Sequence, residues 1–360
     1  MTSPSAEVAA EAAERIKGWL LTSAIQIETG PQRGGIAGGL AADGKPDYVY
    51  LEITGYYLTA TAWLIASASE DGDAAAARAR GQRALEWLAD AADSGEVPAT
   101  RLYLRQEPED WRNDAIFTFD LAMAARGVAR FVEAGGSQPR AAAATAALMD
   151  ALAEVDAGTP TLRSHRARGG KKLPQRWSTL PGPHHLKAAA ALLGLPCSAA
   201  LASSAALTIS RWSESVQEDD AVPELHPRLY ALEGIAMDVP GTLNAATAPF
   251  RRLMEGQRDD GTLPAESPDD GTTRSDVLAQ ALRIGVILKA AGMLGEDGWC
   301  ERLGLLASRL LEHVGADGSV RFSIDSGGSN AWCAMFAQQA LVLYAAPSPP
   351  TIALGRRYMV

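Results

Sequence analysis

Cysteine is scarce in this chain. Cys197, Cys300 and Cys333 are the three among 360 residues, an odd and widely spaced set that gives neither a disulfide framework nor a zinc-ligand pattern. Long apolar runs are missing too: no stretch of about 18 uninterrupted apolar residues occurs, which excludes an ordinary membrane-spanning helix. The segment Met1-Thr-Ser-Pro-Ser-Ala-Glu7 has no basic start and no apolar stretch, so it does not read as a secretory signal, and a cytoplasmic location is expected. β-Branched runs are few while alanine is abundant, so helix is favoured over sheet. Positive charge is in deficit, with 33 Lys and Arg against 43 Asp and Glu and a net charge of −10, which argues against nonspecific nucleic-acid binding. The glycine run at 34–39 matches neither the phosphate-loop nor the dinucleotide spacing; its use is to let backbone pass close to a cavity. With no nucleotide motif, serine elbow or metal cluster, no cofactor is expected.

What is present is repetition. A polar or glycine-rich segment runs six times into an apolar helical stretch that opens with chemically active side chains. The starts are Tyr48–Tyr56, Arg112–Phe117, His184–Lys187, His226–Glu233, Arg274–Gln280 and Asn330–Phe336. Each is followed by a second, alanine-rich helical stretch, and such self-similarity sets the architecture before any other signal. Three Asp-Gly turns, at Gly44, Gly261 and Gly318, precede inner starts and echo one another. Six αα-hairpins closed into a ring put all six starts at one mouth. The expectation is an all-α (α/α)6 toroid, one domain over 1–360, with short extended segments at that mouth.

Charge is unevenly placed. No Asp or Glu occurs between Asp156 and Glu214. Residues 157–183 read as a basic loop inserted between hairpins and carry Arg163, Arg166, Arg168, Lys171, Lys172 and Arg176. Such a loop is either a solvated connection, an anion-binding lid or a dock for an acidic partner.

The six starts supply the candidate site. Glu52 lies four residues before Tyr56, so the two share a helix face; Glu52 either buttresses the first turn or offers a carboxylate to a substrate. Asp114 opens a helix expected over 112–134 and suits a cap; turned inward, it is the leading candidate general base, and Asp120 is expected to face elsewhere. His184 and His185 follow Pro181-Gly-Pro183. Adjacent side chains are not expected both to face the lumen, so one of the pair, His184, is expected to move protons. Lys187 follows one turn on. His226, Tyr230 and Glu233 are spaced four and three, one continuous helical face suited to proton transfer, hydroxyl binding or a buried hydrogen-bond network. Two plausible ligands without a third do not make a metal site. Arg274 and Asp276 open another helix, and a guanidinium there suits a bidentate grip on an oxyanion. Trp332, with Phe336 and Trp177, forms either an aromatic platform or core, and Cys333 is expected to pack.

These starts and hairpins resemble the (α/α)6 toroid superfamily, which includes six-hairpin glycosidases, N-acylglucosamine 2-epimerases, unsaturated glucuronyl hydrolases and glucuronyl C5-epimerases. The resemblance spans about 30–345 and is architectural, with no diagnostic catalytic motif of those families. The strings Tyr50–Leu58 and Asn330–Ala340 are similar to toroid proteins encoded near polysaccharide or natural-product genes. A more distant resemblance is to the large subunit of the azinomycin-type aziridine-forming enzyme, which displaces sulfate from a substrate carried on an acidic protein. With Glu52, Asp114, Glu233 and Asp276 beside His184, His226, Lys187 and Arg274 at one mouth, the residues suit acid–base-assisted elimination, leaving-group displacement or epimerisation on a small anionic substrate. In that scheme Asp114, His184, His226 and Glu233 are catalytic, and Glu52, Tyr56, Lys187, Tyr230, Arg274, Asp276 and Trp332 bind substrate. An acidic carrier protein on the basic loop and a second subunit are the partners it implies. The alternatives are a glycoside hydrolase pairing Asp114 with Glu233, whose separation would set the stereochemistry, and a non-catalytic saccharide-binding or scaffolding toroid.

Overall fold

The computed structural model describes residues 3–105, 108–216, 223–237, 241–295 and 298–360. Six helices form an inner ring: α2 (Leu51–Ser67), α4 (Thr118–Glu133), α6 (His185–Leu192), α8 (Leu225–Ala236), α10 (Ser275–Ala290) and α12 (Ala331–Ala345). Each packs on the next, and α12 returns to α2. Their sequences are apolar nearly all round, and 51–64 of α2 and 275–288 of α10 are buried throughout. A helix with no polar face has to be enclosed. The outer helices are α1 (Ala6–Thr22), α3 (Asp71–Asp93), α5 (Gln138–Asp156), α7 (Ala199–Ser215), α9 (Thr247–Glu255) and α11 (Trp299–Glu312). They are amphipathic: α11 buries Leu303, Leu306, Ala307 and Leu310 while Glu301 and Arg302 face out. The helix α1 packs on α12, so the first helix of the chain completes the last pair. The architecture is the expected (α/α)6 toroid.

The ring is tight because glycine lets inner helices touch backbone to backbone. A Cβ on Gly55 of α2 would overlap the main chain of Ala124 in α4, and one on Gly127 of α4 would overlap the Gly55 carbonyl. Gly234 of α8 lies in the same way on Leu186 of α6.

Three short antiparallel pairs gather at the mouth: β1 (Gly39–Leu40) with β6 (Ser329–Asn330), β2 (Tyr48–Tyr50) with β3 (Arg101–Tyr103), and β4 (Ala115–Phe117) with β5 (His165–Ala167). β2, β4 and β6 run directly into α2, α4 and α12. The helix expected over 112–134 is corrected here. Trp111–Asp114 is a 3-10 turn, Ala115–Phe117 is strand, and α4 begins at Thr118. Pairing with the basic loop takes up the backbone groups of 115–117, and Thr118 is tied to the loop through the Arg163 and Ser164 carbonyls.

A thirteenth helix, α13 (Pro349–Arg357), was not foreseen. It packs on α2, α10 and α12 and brings the fully buried Val360 into the ring beneath the mouth. Among the described residues no helix is long and apolar enough to cross a membrane.

Candidate active site

A cavity of about 630 Å³ opens at the mouth. Its wall is built largely from the starts of inner helices: Glu52 on α2, Phe119 and Asp120 on α4, His184 and His185 at the start of α6, His226 and, a turn further in, Tyr230 on α8, and Trp332 on α12. Arg274, Glu224 and Asn330, just ahead of their helices, complete it, while Arg101, Trp111, Arg112, Arg176 and Trp177 form the rim. Side chains lean toward the N-terminus of a helix, so first-turn residues project over the opening.

His226 is the best-defined acid–base group. Its Nδ1 lies 2.8 Å from Gln280 Oε1 and 3.3 Å from Asp276 Oδ2. The carboxylate can only accept, so the ring proton sits on Nδ1 and Nε2 keeps its lone pair. Burial pushes the imidazole down to about 4, against the opposing pull of Asp276. At neutral pH the ring is therefore uncharged and the contact is a hydrogen bond. Burial works against Asp276, but Arg274 and His226 outweigh it and hold its carboxyl at about 2. Arg274 grips Asp276 with Nε at 3.1 Å and Nη2 at 2.6 Å, and Trp332 Nε1 reaches the same carboxylate at 3.3 Å.

The opposite wall holds carboxyls of another kind. In a six-membered ring α8 faces α2, and α4 is beside α2. Burial raises Glu52, with the Tyr50 phenol and the Lys187 charge pulling back. Asp120 is raised well above the ordinary range, by burial first and then by the neighbouring Glu52. Two carboxyls so placed titrate as a pair, and burial pushes both toward the protonated form. Tyr230 spans the cavity: its ring lies 4.2 Å from that of His226, and its hydroxyl donates to Glu52 Oε1 at 3.5 Å. The Trp177 ring lies 5.3 Å from that of His184 and 6.1 Å from that of His226.

Solved structures with this fold exist at low identity. The cellobiose 2-epimerase from Spirochaeta thermophila superposes with a TM-score of 0.64 at 14% identity, covering 94% of this chain and 96% of that one. A sugar epimerase from a ruminal bacterium gives 0.59 at 12%, covering 91% and 98%. A glycosidase solved with glucose gives 0.56 at 14%, covering 97% and 98%. The chain has the toroid fold of sugar epimerases and glycosidases. No protein-family model matches it, and neither does any curated protein. None of these likenesses points to aziridine or sulfate chemistry.

Within the toroid the expected residues divide into two layers. Glu52, His184, His226, Tyr230, Arg274 and Trp332 line the cavity. Tyr56, Lys187 and Glu233 lie beneath it. Glu233 is fully buried and bound by Lys187 Nζ at 2.7 Å and by Arg283. Lys187 and Arg283 both donate to the Val360 main-chain oxygen at 2.9 Å. Lys187 also sits 4.5 Å from the ring centre of Tyr230 and 4.7 Å from that of Tyr56. Burial pushes Lys187 down to about 8, against the pull of Glu233, while Glu233 itself is held low because Arg283 and Lys187 outweigh its burial. Asp276 is also outside the lining, one layer behind Arg274 and His226.

The expectations for Asp114, Asp120, the Asp114–Glu233 pair and the two adjacent histidines are corrected. Asp114 does not line the cavity; on the 3-10 turn it pairs with Lys171 at 2.6 Å. Asp120 does line it, because the later start of α4 puts it in the first turn. With Asp114 outside and Glu233 below, that pair cannot flank one glycosidic bond. His184 and His185 both line the wall, their rings 4.2 Å apart, because side chains at a helix start lean past its end. Burial lowers both, His185 to about 4 and His184 well below its ordinary value. Asp120, Arg101, Arg112, Gln280 and Arg283 were missed as site or supporting residues. Equivalence to Glu52 in the repeat was the signal that could have found Asp120.

The basic loop is largely tied down. Arg166 pairs with Glu154, Arg168 donates to the Val97 and Pro98 carbonyls, and Lys171 holds Asp114. Among the described residues no three His, Cys, Asp or Glu side chains gather as a metal site.

Proposed function

We propose that this chain is an acid–base enzyme that epimerises or isomerises a sugar-sized substrate at the carbon next to a carbonyl. One observation carries the reading: a neutral, Nδ1-anchored His226 faces a carboxyl pair that burial raises, Glu52 and Asp120, across one cavity. His226 Nε2 takes the proton from carbon and the electron pair moves to the carbonyl oxygen, giving an enediolate. The carboxyl pair returns a proton to the other face, and the product is an isomer with no atom gained or lost. The phenols of Tyr50 and Tyr230, raised well above their ordinary range by burial, stay protonated and donate to the developing oxyanion. Trp177 and Trp332 offer flat apolar surfaces to a sugar ring. The fold shared with sugar epimerases supports the substrate size.

The test is incubation with reducing sugars in D₂O, read by NMR. Deuterium should enter at the carbon next to the carbonyl and a second epimer or ketose should appear, both lost in His226→Ala. Intact protium with a folded enzyme across a panel of neutral and acidic sugars would sink the reading.

Glycoside hydrolysis is the second reading, favoured by Glu224, a third carboxyl on the wall of the same cavity as Asp120. Release of nitrophenol from aryl glycosides, lost in Asp120→Asn and Glu224→Gln, would establish it. Sulfate displacement, elimination and a biosynthetic role share the same acid and base but draw on no further observation. An acidic carrier would meet Arg163, Lys172 and Arg176, which among the described residues make no ion pair.

A further inference from the structure

The cavity carries more fixed positive charge than its own carboxylates balance, and the surplus sits at the rim. Arg101, Arg112, Arg176 and Arg274 all line it. The cations expected from sequence to hold an anion are already committed, Arg274 to Asp276 and Lys187 to Glu233. Arg101 and Arg112 share one carboxylate, Asp110: Arg101 Nη1 lies 3.3 Å from one oxygen and Arg112 Nη1 3.2 Å from the other. Asp110 is further occupied by the Tyr103 hydroxyl at 2.9 Å and the Arg112 backbone N–H at 3.1 Å. Arg176 is exposed and makes no ion pair among the described residues. The wall itself carries three carboxyls, Glu52, Asp120 and Glu224, against these four guanidiniums, and burial raises Glu52 and Asp120.

The two rim guanidiniums with free donors come from different segments. Arg112 stands on the 3-10 turn, its guanidinium 4.8 Å from the Trp111 ring centre. Arg176 belongs to the basic loop, which the β4–β5 pairing anchors beside that turn. A planar guanidinium presents paired donors matched to an oxyanion.

We propose that Arg112 and Arg176 form an oxyanion subsite, so that the substrate is a sugar bearing a carboxylate, sulfate or phosphate group rather than a neutral sugar. This rests on the isomerase reading for the chemistry but not for the binding. The charged group sits at the rim, and the carbonyl end reaches down to His226. The basic loop acquires a function through Arg176, as one side of the subsite.

Calorimetric titration with glucose, glucuronate, glucose 6-sulfate and glucose 6-phosphate tests it, on the wild type and on Arg112→Gln, Arg176→Gln and the double variant. At low salt at least one charged sugar should bind 10-fold or more tighter than glucose. The ratio should fall several-fold in each single variant and approach one in the double. Which charged sugar binds best identifies the oxyanion. Raising the salt should erode the wild-type ratio, a readout independent of whether the variants fold. Equal binding of glucose and every charged sugar, no binding of any charged sugar, or a preference that survives in the double variant would overturn the subsite. Tight binding of a charged sugar without deuterium exchange would overturn the isomerase reading alone. Deuterium exchange with equal affinity for neutral and charged sugars would overturn the subsite alone.

Discussion

Removing the imidazole of His226 tests the chemistry most directly. Activity that needs the neutral ring rises with pH through about 4 and falls again as the Glu52–Asp120 pair gives up its proton above the ordinary carboxyl range. His226→Ala should lower kcat at least about 100-fold, the scale of a lost general base, and Asp120→Asn should abolish the alkaline limb. A pH–rate profile for each variant checks both. One layer down, Lys187 and Glu233 form a buried pair, and breaking it should cost about 3–5 kcal/mol. Urea unfolding should show Lys187→Met and Glu233→Gln each strongly destabilised and the double variant less so than their sum. This layering explains part of what the chain hides. The spacing of His226, Tyr230 and Glu233 does define one helix face, but seven residues are about 10 Å along a helix axis. The first two therefore reach the cavity and the third reaches the floor. Arg283 was silent because a polar residue in mid-helix has no marker in sequence, and Gln280, though it closes one of the starts, gave no sign that it would hold His226; only the ring shows what each meets.

Whole helices were easier to read than their starts. The apolar stretches of α2, α10 and α12 were legible because enclosure on every side demands them. The start of α4 was not, because the strand that displaces it pairs with a segment about 50 residues further on, and local propensity carries no record of a distant partner. The basic character of 157–183 was legible through charge alone, while the anchoring of that segment was not. The glycines on inner helices give the clearest prediction at this level. Gly55→Ala or Gly127→Ala drives a methyl into neighbouring backbone and should destabilise by at least about 1–3 kcal/mol. Gly72→Ala near the exposed start of α3, where nothing lies within 4 Å, is the control. Thermal melting of the three variants decides it.

The folded protein as a whole answers to pH through its buried histidines. His185 and His226 are held at about 4 against an ordinary 6.5, so between those values the unfolded chain binds protons that the folded one refuses. Stability therefore falls as pH drops from 6.5 to about 4, by up to about 3 kcal/mol for each of the two. Glu52 and Asp120, raised in the fold, act in the opposite sense. The difference between wild type and His185→Phe isolates one histidine: urea midpoints from pH 7 to 4 should fall less steeply in the variant, and parallel curves would count against the burial argument. Closure of the ring has a consequence for synthesis. The apolar stripe of α1, with Ile16, Trp19 and Leu20, is synthesised some 300 residues before its partner α12. Until then that stripe is a sticky surface without a seat, open to self-association or to a chaperone. One pair of the ring thus joins two segments whose syntheses lie far apart in time.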